Sequence, residues 1–503
     1  MSGPYLAGVD VGTTGLKAAL FDLDGRVVGE ASRPYPVVQP QMNWAEQDAG
    51  QWWKAFKEAV GELTAKAEAS EIASIAIDSQ CPSLLPITAD GQPLRNALLW
   101  FDRRSVTQAE WIKRTIGEEK TGQIACNRVA AGAFSAPGML WIREHEPKVF
   151  EAARWFLHAN GYISFRLTGR ATMDWANASF TLLFDVRRRE WSQELCDLMR
   201  VPGEKLPEAV APWVQVGEVT AQAAEETGLR QGTPIIAGAA DSAAAALGVG
   251  AVKVGDSMDS SGASTVLGVC ADQPIFNPRF MVRAHAIPDR WLFMGPSSAT
   301  GASLRWFRDN FCRYEARSAE ELQLSAYQLM DLEAERSPPG ARGLVFLPYL
   351  AGERAPIWDP DAKGLLYGLT LSHTRADVIR AIMEGATYAL RHNMEFMEAL
   401  GLRIQGLRLT GGHAKSRLWR QIKADVTGRK VIVTAVKEAS ALGSAMLAGV
   451  GIGLFKNPIE ASEHMVVVEQ EVEPNLELQK TYTPLFNLYK RLYIPELTRP
   501  RAE

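Results

Sequence analysis

Two segments of this chain share a plan that few folds use twice: Leu6–Asp22, LAGVDVGTTGLKAALFD, and its imperfect counterpart Ser257–Val269, SMDSSGASTVLGV. In each, an apolar strand pattern meets a turn of glycine and hydroxyl residues and continues as a second strand pattern. Glycine removes side-chain bulk and Ser or Thr adds donors, which suits backbone N–H groups aimed at phosphate oxygens. Taken singly, either turn reads equally well as an ordinary hairpin whose Gly and Ser serve conformation alone. The polar neighbours of the first turn favour phosphate. Asp10 before Gly12 offers a carboxylate for a metal, and Lys17 after Gly15 offers an ammonium for phosphate. Two related turns so far apart suggest a nucleotide held between two related halves.

With 503 residues the chain exceeds what one core supports, so two or more domains are expected. Apolar content of 47% with 22% charge is that of a folded soluble protein. A net charge of −4 provides no basic field, which argues against nucleic acid as a partner. The cysteines, Cys81, Cys126, Cys196, Cys270 and Cys312, form no CxxC pair and have no histidine at zinc spacing, so a reducing cytoplasm is the expected setting. No signal-peptide pattern opens the chain and no apolar run reaches membrane length, so no membrane partner is expected.

Asp22-Leu23-Asp24-Gly25 is a turn leading to Val27-Val28, which predicts a three-stranded antiparallel meander. A helix capped by Asp48 follows, with Trp52, Phe56, Val60 and Leu63 on one face, and then a strand Ile72–Ile77 that stops at Asp78-Ser79-Gln80-Cys81-Pro82. Polar residues just past a strand's carboxyl end are where open α/β sheets bind ligands. Further on, Pro234–Ala237 reads as a strand meeting Gly238-Ala239-Ala240-Asp241-Ser242 before an Ala-rich helix. Thr300-Gly301 opens a helix, Thr374 and Asp377 suggest a capping box, and strand Leu407–Thr410 runs into Gly411-Gly412 with Ser416 as a cap. Trp52, Trp306 and Trp419 fall on helical patterns and are expected in the core, while Trp100 beside Asp102 is a candidate sugar wall. The histidines form no metal-ligand pattern.

In order along nearly the whole chain, these segments resemble the FGGY family of carbohydrate kinases, within the hexokinase, actin and Hsp70-like superfamily, and most closely its xylulokinases. Gly8–Lys17 is similar to the first phosphate motif, Trp100-Phe101-Asp102-Arg103-Arg104 to the sugar-side segment, and Gly238–Ser242 to the segment with the catalytic Asp. Ser260–Thr265 resembles the second phosphate motif, Tyr349–Pro356 and Arg380–Gly385 two further family segments, and Gly411–Ser416 the adenosine motif. The resemblance implies an α/β fold of two RNase H-like (actin/hexokinase-type) domains with an active-site cleft between them. It places domain one at residues 1–248 and domain two at 249–503, the latter ending in a helix. It implies ATP and Mg²⁺, with Asp10 and Asp241 toward the metal, and Thr13, Thr14, Lys17, Ser261, Gly262 and Ser264 toward phosphate. Gly301, Gly411, Gly412 and Ser416 would line adenosine, and Gln80, Cys81, Pro82, Trp100, Asp102, Arg104 and Asp241 would contact a sugar or polyol. Asp241 would be the general base; its rival reading is a helix N-cap.

The expected reaction is phosphorylation of a ketopentose, D-xylulose first, with L-ribulose, erythritol or another polyol, or an autoinducer-2-type sugar, as alternatives. A homodimer is the assembly allowed for. The chain departs from the family pattern at four places: Pro82 replaces a histidine of the sugar loop, the Arg-Glu pair of glycerol kinases is missing, Ala263 replaces Thr, and Gly138 replaces Lys. An actin- or chaperone-like ATPase is the rival from another class. A dinucleotide-binding dehydrogenase fails because a strand, not a helix, follows the first turn.

Overall fold

In a computed structural model, residues 3–312 and 323–495 are described. They fall into two compact units that exchange segments. The first takes Met1–Val252, Cys270–Phe293 and Glu438–Val467; the second takes Lys253–Val269, Met294–Lys437 and Val468–Glu503.

The first unit is built on a six-stranded sheet. Its order is Gln215–Glu218, Pro234–Ile236, Ile72–Ser79, Tyr5–Val11, Gly15–Phe21, Val27–Pro34. The last three form the meander, antiparallel throughout, and Ile72–Ser79 lies parallel to Tyr5–Val11 with Asp10 opposite Asp78. That strand runs two residues further than its apolar pattern predicts, because the ladder with Tyr5–Val11 continues through Asp78 and Ser79. The helix Ala49–Thr64 begins at Asp48, whose carboxylate accepts from Gly50 N at 2.8 Å, and buries Trp52, Phe56, Val60 and Leu63 as expected.

Helices Asp241–Gly248 and Ala439–Gly451 pack on each other, and the latter also packs on the central strands. Small residues permit that approach: a Cβ at Gly8 would lie 1.8 Å from Ala441 O, and one at Gly443 would lie 1.9 Å from Ala244 O. A helix from late in the chain thus backs the first hairpin, and its hydroxyls reach the carboxylates there.

The second unit repeats the plan. Asp256–Ser261 pairs antiparallel with Thr265–Ala271 and parallel with Gly406–Gly411, which pairs parallel with Lys430–Thr434, and Val468–Val472 closes the edge antiparallel. In both units a hairpin's first strand lies beside a parallel strand that follows a helix. The long helix Arg375–Ala399 starts at the expected capping box, Asp377 Oδ2 accepting from Thr374 N and Oγ1 at 2.8 Å each. Its Ile382, Leu390 and Met394 are buried and Val378 half-buried. Trp419 is buried, but Trp306 is 42% exposed, contrary to the expectation of a core position. The helix Thr300–Phe311 buries Thr300, Ser303, Leu304 and Phe307, a face that does not include position 306.

Candidate active site

In the first unit the ends of two parallel strands place acidic residues side by side. Asp10 and Asp78 are cross-strand neighbours, and Asp241 opens the helix after strand Pro234–Ile236. Gly238, at φ +73°, makes this junction: a Cβ there would lie 1.8 Å from Ile77 O, so the chain turns into the helix hard against the neighbouring strand. Asp241 is the first helical residue and Ala240 the cap, so the N-cap reading of Asp241 does not hold; its Oδ1 accepts from Ser242 N at 2.5 Å.

The three carboxylates feel one another. Burial first, and then the charge of Asp241, push Asp10 up to about 7, with Lys17 opposing. Burial and Asp10 raise Asp78 well above the usual range. Burial also raises Asp241, opposed first by the Arg283 guanidinium. Asp10 Oδ1 and Asp78 Oδ1 are buried without hydrogen-bond partners, while Ser440 Oγ donates to Asp10 Oδ2 at 3.3 Å and Ser444 Oγ to Asp78 Oδ2 at 2.6 Å.

The first turn is wired to the predicted sugar-side residues. Thr13 Oγ1 donates to Gln80 Oε1 at 2.9 Å and accepts from Trp100 Nε1 at 3.2 Å. Gln80 Nε2 donates to Gln47 Oε1 at 2.6 Å, and Gln47 Nε2 returns to Thr13 O at 2.6 Å. The Thr13 hydroxyl is thus committed to this ring. Thr14 is exposed at the turn, and Lys17 pairs with Glu438 at 2.6 Å across a half-exposed contact.

Asp102 and Arg104 are ion-paired with each other, while Arg104 Nη1 is buried without a hydrogen-bond partner. Asp102 accepts from Ala45 N at 2.6 Å and from Arg104 N at 2.9 Å, and the Arg104 guanidinium grips Asp102 and Glu46 while lying 3.7 Å from the Trp44 ring centroid. Cys81 Sγ lies 3.8 Å from His158 Nδ1, and burial raises its thiol far above the usual range. Pro82 lines a cavity of about 10 Å³ with Leu84, Leu98, Phe134, Ser135 and Gly138, the scale of one water. A Cβ at Gly138 would meet Leu84 Cδ2 at 2.9 Å, so a side chain longer than glycine would have to displace Leu84.

In the second unit the predicted nucleotide residues converge. A Cβ at Gly301 would lie 2.0 Å from Gly262 O and 2.8 Å from His413 Nε2, and one at Gly411 would lie 2.4 Å from Ser261 O. Gly412 follows beside Ser261. Gly262 N donates to Ser264 O at 2.8 Å, closing the turn. Ser416 caps the helix Arg417–Thr427, its Oγ accepting from Trp419 N at 3.0 Å.

Several residues here escaped the sequence reading. Lys423 is fully buried and pairs with Asp259 at 2.5 Å and with Ser261 Oγ at 2.8 Å, which anchors the second turn from beneath. His413 stacks on Trp419 with centroids 3.6 Å apart, and burial followed by the Lys423 charge keeps its ring neutral. In the first unit Asp78, Glu438, Ser440 and Ser444 also belong to the site. Only Asp78 left a trace in the sequence, as a polar residue at the end of an apolar strand.

Residues 5–248 match the N-terminal domain of the FGGY family of carbohydrate kinases and residues 258–452 its C-terminal domain. The chain belongs to the FGGY family of carbohydrate kinases. A xylulose kinase of Bacillus subtilis is 34% identical over 97% of this chain and 96% of its own length. A gluconokinase of the same organism is 29% identical over 98% of this chain and 97% of its own. The crystal structure of a xylulose kinase from Rhodospirillum rubrum superposes with TM-score 0.89 at 30% identity, covering 97% and 98% of the two chains. The protein is a carbohydrate kinase of two mixed α/β units in the actin/hexokinase manner, and the family implies ATP as phosphoryl donor. Among the described residues no helix is long and apolar enough to cross a membrane.

Proposed function

We propose that this FGGY kinase transfers the γ-phosphoryl group of ATP to a hydroxyl of a ketopentose, D-xylulose first, and that 1–248 and 249–503 act as its two functional domains. The observation that carries the reading is the meeting of Asp241 with Asp10 and Asp78 next to a turn whose Thr13 is bonded to Gln80 and Trp100. Phosphate-side and acceptor-side residues thereby share one rigid network. Such an arrangement serves a reaction that depends on alignment and charge neutralisation more than on covalent help from protein.

In this reading Asp241 takes the proton of the attacking hydroxyl, whose oxygen forms the new P–O bond. The bond from the γ-phosphorus to the bridging oxygen breaks, and ADP leaves with the electron pair. Burial raises Asp241, but the opposing Arg283 charge favours its ionised, proton-accepting form. In the first unit the turn's backbone N–H groups, Thr14 and Lys17 would meet phosphate, Lys17 after exchanging Glu438 for it. In the second unit Ser261, Gly262 and Ser264 would do the same, with Gly301, Gly411 and Gly412 admitting the adenosine and Ser416 holding the adjoining helix. Gln80, Cys81, Pro82 and Trp100 would face the acceptor. Asp102 and Arg104, ion-paired with each other, would border the acceptor, with Arg104 Nη1 still open to it.

The orphaned Asp10 Oδ1 and the raised carboxyl of Asp10 fit a hard cation such as Mg²⁺. Among the described residues no group of three or more His, Cys, Asp or Glu is arranged to hold a metal, so Asp10 and Asp241 would hold it together with water and phosphate oxygens. Mg²⁺ supplies neutralisation of phosphate charge. The test is ADP release by the purified protein across a panel of ketoses and polyols. Sugar-dependent release with D-xylulose ranked first supports the reading, and release independent of any acceptor refutes it.

A further inference from the structure

Arg283 is the largest charged side chain among the fully buried described residues, and the reaction scheme uses only its charge. It lies on the strand Met281–Ala284 in the first unit and is 1% exposed. Its strand is pinned on both sides of it. Asn127 accepts from Val282 N at 2.8 Å and donates to Val282 O at 2.7 Å, and Ser179 Oγ accepts from Ala284 N at 3.0 Å. The guanidinium stacks on Phe180 with Cζ 3.8 Å from the ring centroid. Rigid backbone and aromatic stacking fix the plane of the group, yet Nε and Nη1 have no hydrogen-bond partner. Buried guanidinium donors without partners are costly, and the cost is recovered when a ligand supplies acceptors.

The surroundings identify the ligand. Arg283 acts electrostatically on Asp241 and Asp174, and on Cys81 both electrostatically and through a hydrogen bond. Asp174 has its own donors, Asn177 N and Nδ2 and Asn160 Nδ2, at 2.6–3.0 Å, and does not need the arginine as a partner. The orphaned donors are therefore free for a molecule that approaches Asp241. Around Asp241, burial already holds the Asp10, Asp78 and Asp174 carboxyls above their usual range despite the one guanidinium, and Lys17 is spent on Glu438. A further carboxylate would meet the same desolvation penalty, whereas hydroxyl and carbonyl oxygens accept hydrogen bonds without adding charge.

We propose that Arg283 is an acceptor-binding residue whose Nε–H and Nη1–H groups donate to oxygens of an uncharged polyhydroxy substrate while another hydroxyl of that substrate faces Asp241, and that this site disfavours sugar acids. The inference rests on the kinase reading above, and it separates the two activities named among the relatives, since gluconate carries a carboxylate and xylulose does not.

The test is steady-state kinetics of the full chain with D-xylulose, L-ribulose, erythritol and D-gluconate, for wild type, R283K and R283M. The wild type should prefer a neutral acceptor to D-gluconate. R283K should raise the KM for that acceptor by about 10- to 100-fold, the loss expected for charge-assisted hydrogen bonds, with R283M at least as impaired and KM for ATP unchanged in both. An unchanged acceptor KM in a folded R283K or R283M protein overturns the role of Arg283. A wild type that prefers D-gluconate overturns the charge argument without recourse to any variant. Should both variants fail to fold, that wild-type preference alone decides. A wild type that turns over none of the four overturns the reading of the site together with this inference, a result distinct from turnover that ignores position 283.

Discussion

Replacing Asp241 by Asn removes the proposed base while leaving its shape. The amide oxygen can still accept from Ser242 N, the bond that Asp241 Oδ1 makes at 2.5 Å. What is lost in stability is a carboxylate at a helix N-terminus, worth about 0.3–1 kcal/mol, and that loss is offset by relief of a buried charge that burial already disfavours. The net change should stay within about 1 kcal/mol, a Tm shift of roughly 2–4 °C. Catalysis should fall far more. A general base contributes about 10²–10⁴ in rate, or about 2.7–5.4 kcal/mol of transition-state stabilisation at 1.36 kcal/mol per decade. The assay is kcat by coupled ADP release under saturating ATP and acceptor, alongside a thermal melt. As a control, Asp241→Ala also removes the acceptor of Ser242 N and should cost about a further 1 kcal/mol. Near-wild-type kcat in Asp241→Asn would refute the assignment of the base, as would a fall in kcat that merely follows lost folding.

Three further expectations follow from the two half-sites. Asp10 titrates at about 7 in the fold against 3.8 unperturbed, so between those values the native state holds a proton the unfolded chain has lost, and stability falls as pH rises through that window; Asp10→Asn should stabilise the ligand-free protein at about pH 8, on the order of 1–3 kcal/mol, with a smaller gain near pH 5, while abolishing Mg²⁺-dependent turnover, as melts at both pH values and kinetics would show. Gly301→Ala forces a Cβ to within 2.0 Å of Gly262 O, so KM for ATP should rise by about tenfold or more for a strain of about 1–3 kcal/mol, with acceptor KM unchanged. Lys423→Met strands the buried Asp259 carboxylate, and urea denaturation should show a loss of about 3–5 kcal/mol, partly restored by adding Asp259→Asn.

Local signals carried much of the architecture. The hairpins, the Asp48 cap, the Thr374–Asp377 box and the apolar stripe from Trp52 to Leu63 all depend on neighbours within a few positions, and all stand in the structure. That the first unit recruits a helix from late in the chain was not legible, because nothing in the composition of Ala439–Gly451 shows that Ala441 meets Gly8 and Gly443 meets Ala244. The same separation hid Ser440 and Ser444, which approach Asp10 and Asp78 across more than 360 positions. Lys423 looked like an ordinary helical lysine, since burial depends on which helical face the second sheet covers. Trp306 misled for the converse reason, its helical spacing matching a core stripe, whereas the helix buries Thr300, Ser303, Leu304 and Phe307 instead. The partners of Arg104 were also hidden, since Glu46 and Trp44 lie some 60 positions earlier.

The central claim is that ATP is used to phosphorylate a carbohydrate and not to drive hydrolysis. The most direct measurement follows the label from γ-³²P-ATP in the presence and absence of D-xylulose and the other neutral acceptors. Label appearing in an acid-stable sugar phosphate, one per ADP formed and only when acceptor is present, is the predicted result. Label appearing as inorganic phosphate at the same rate with and without acceptor would contradict the account.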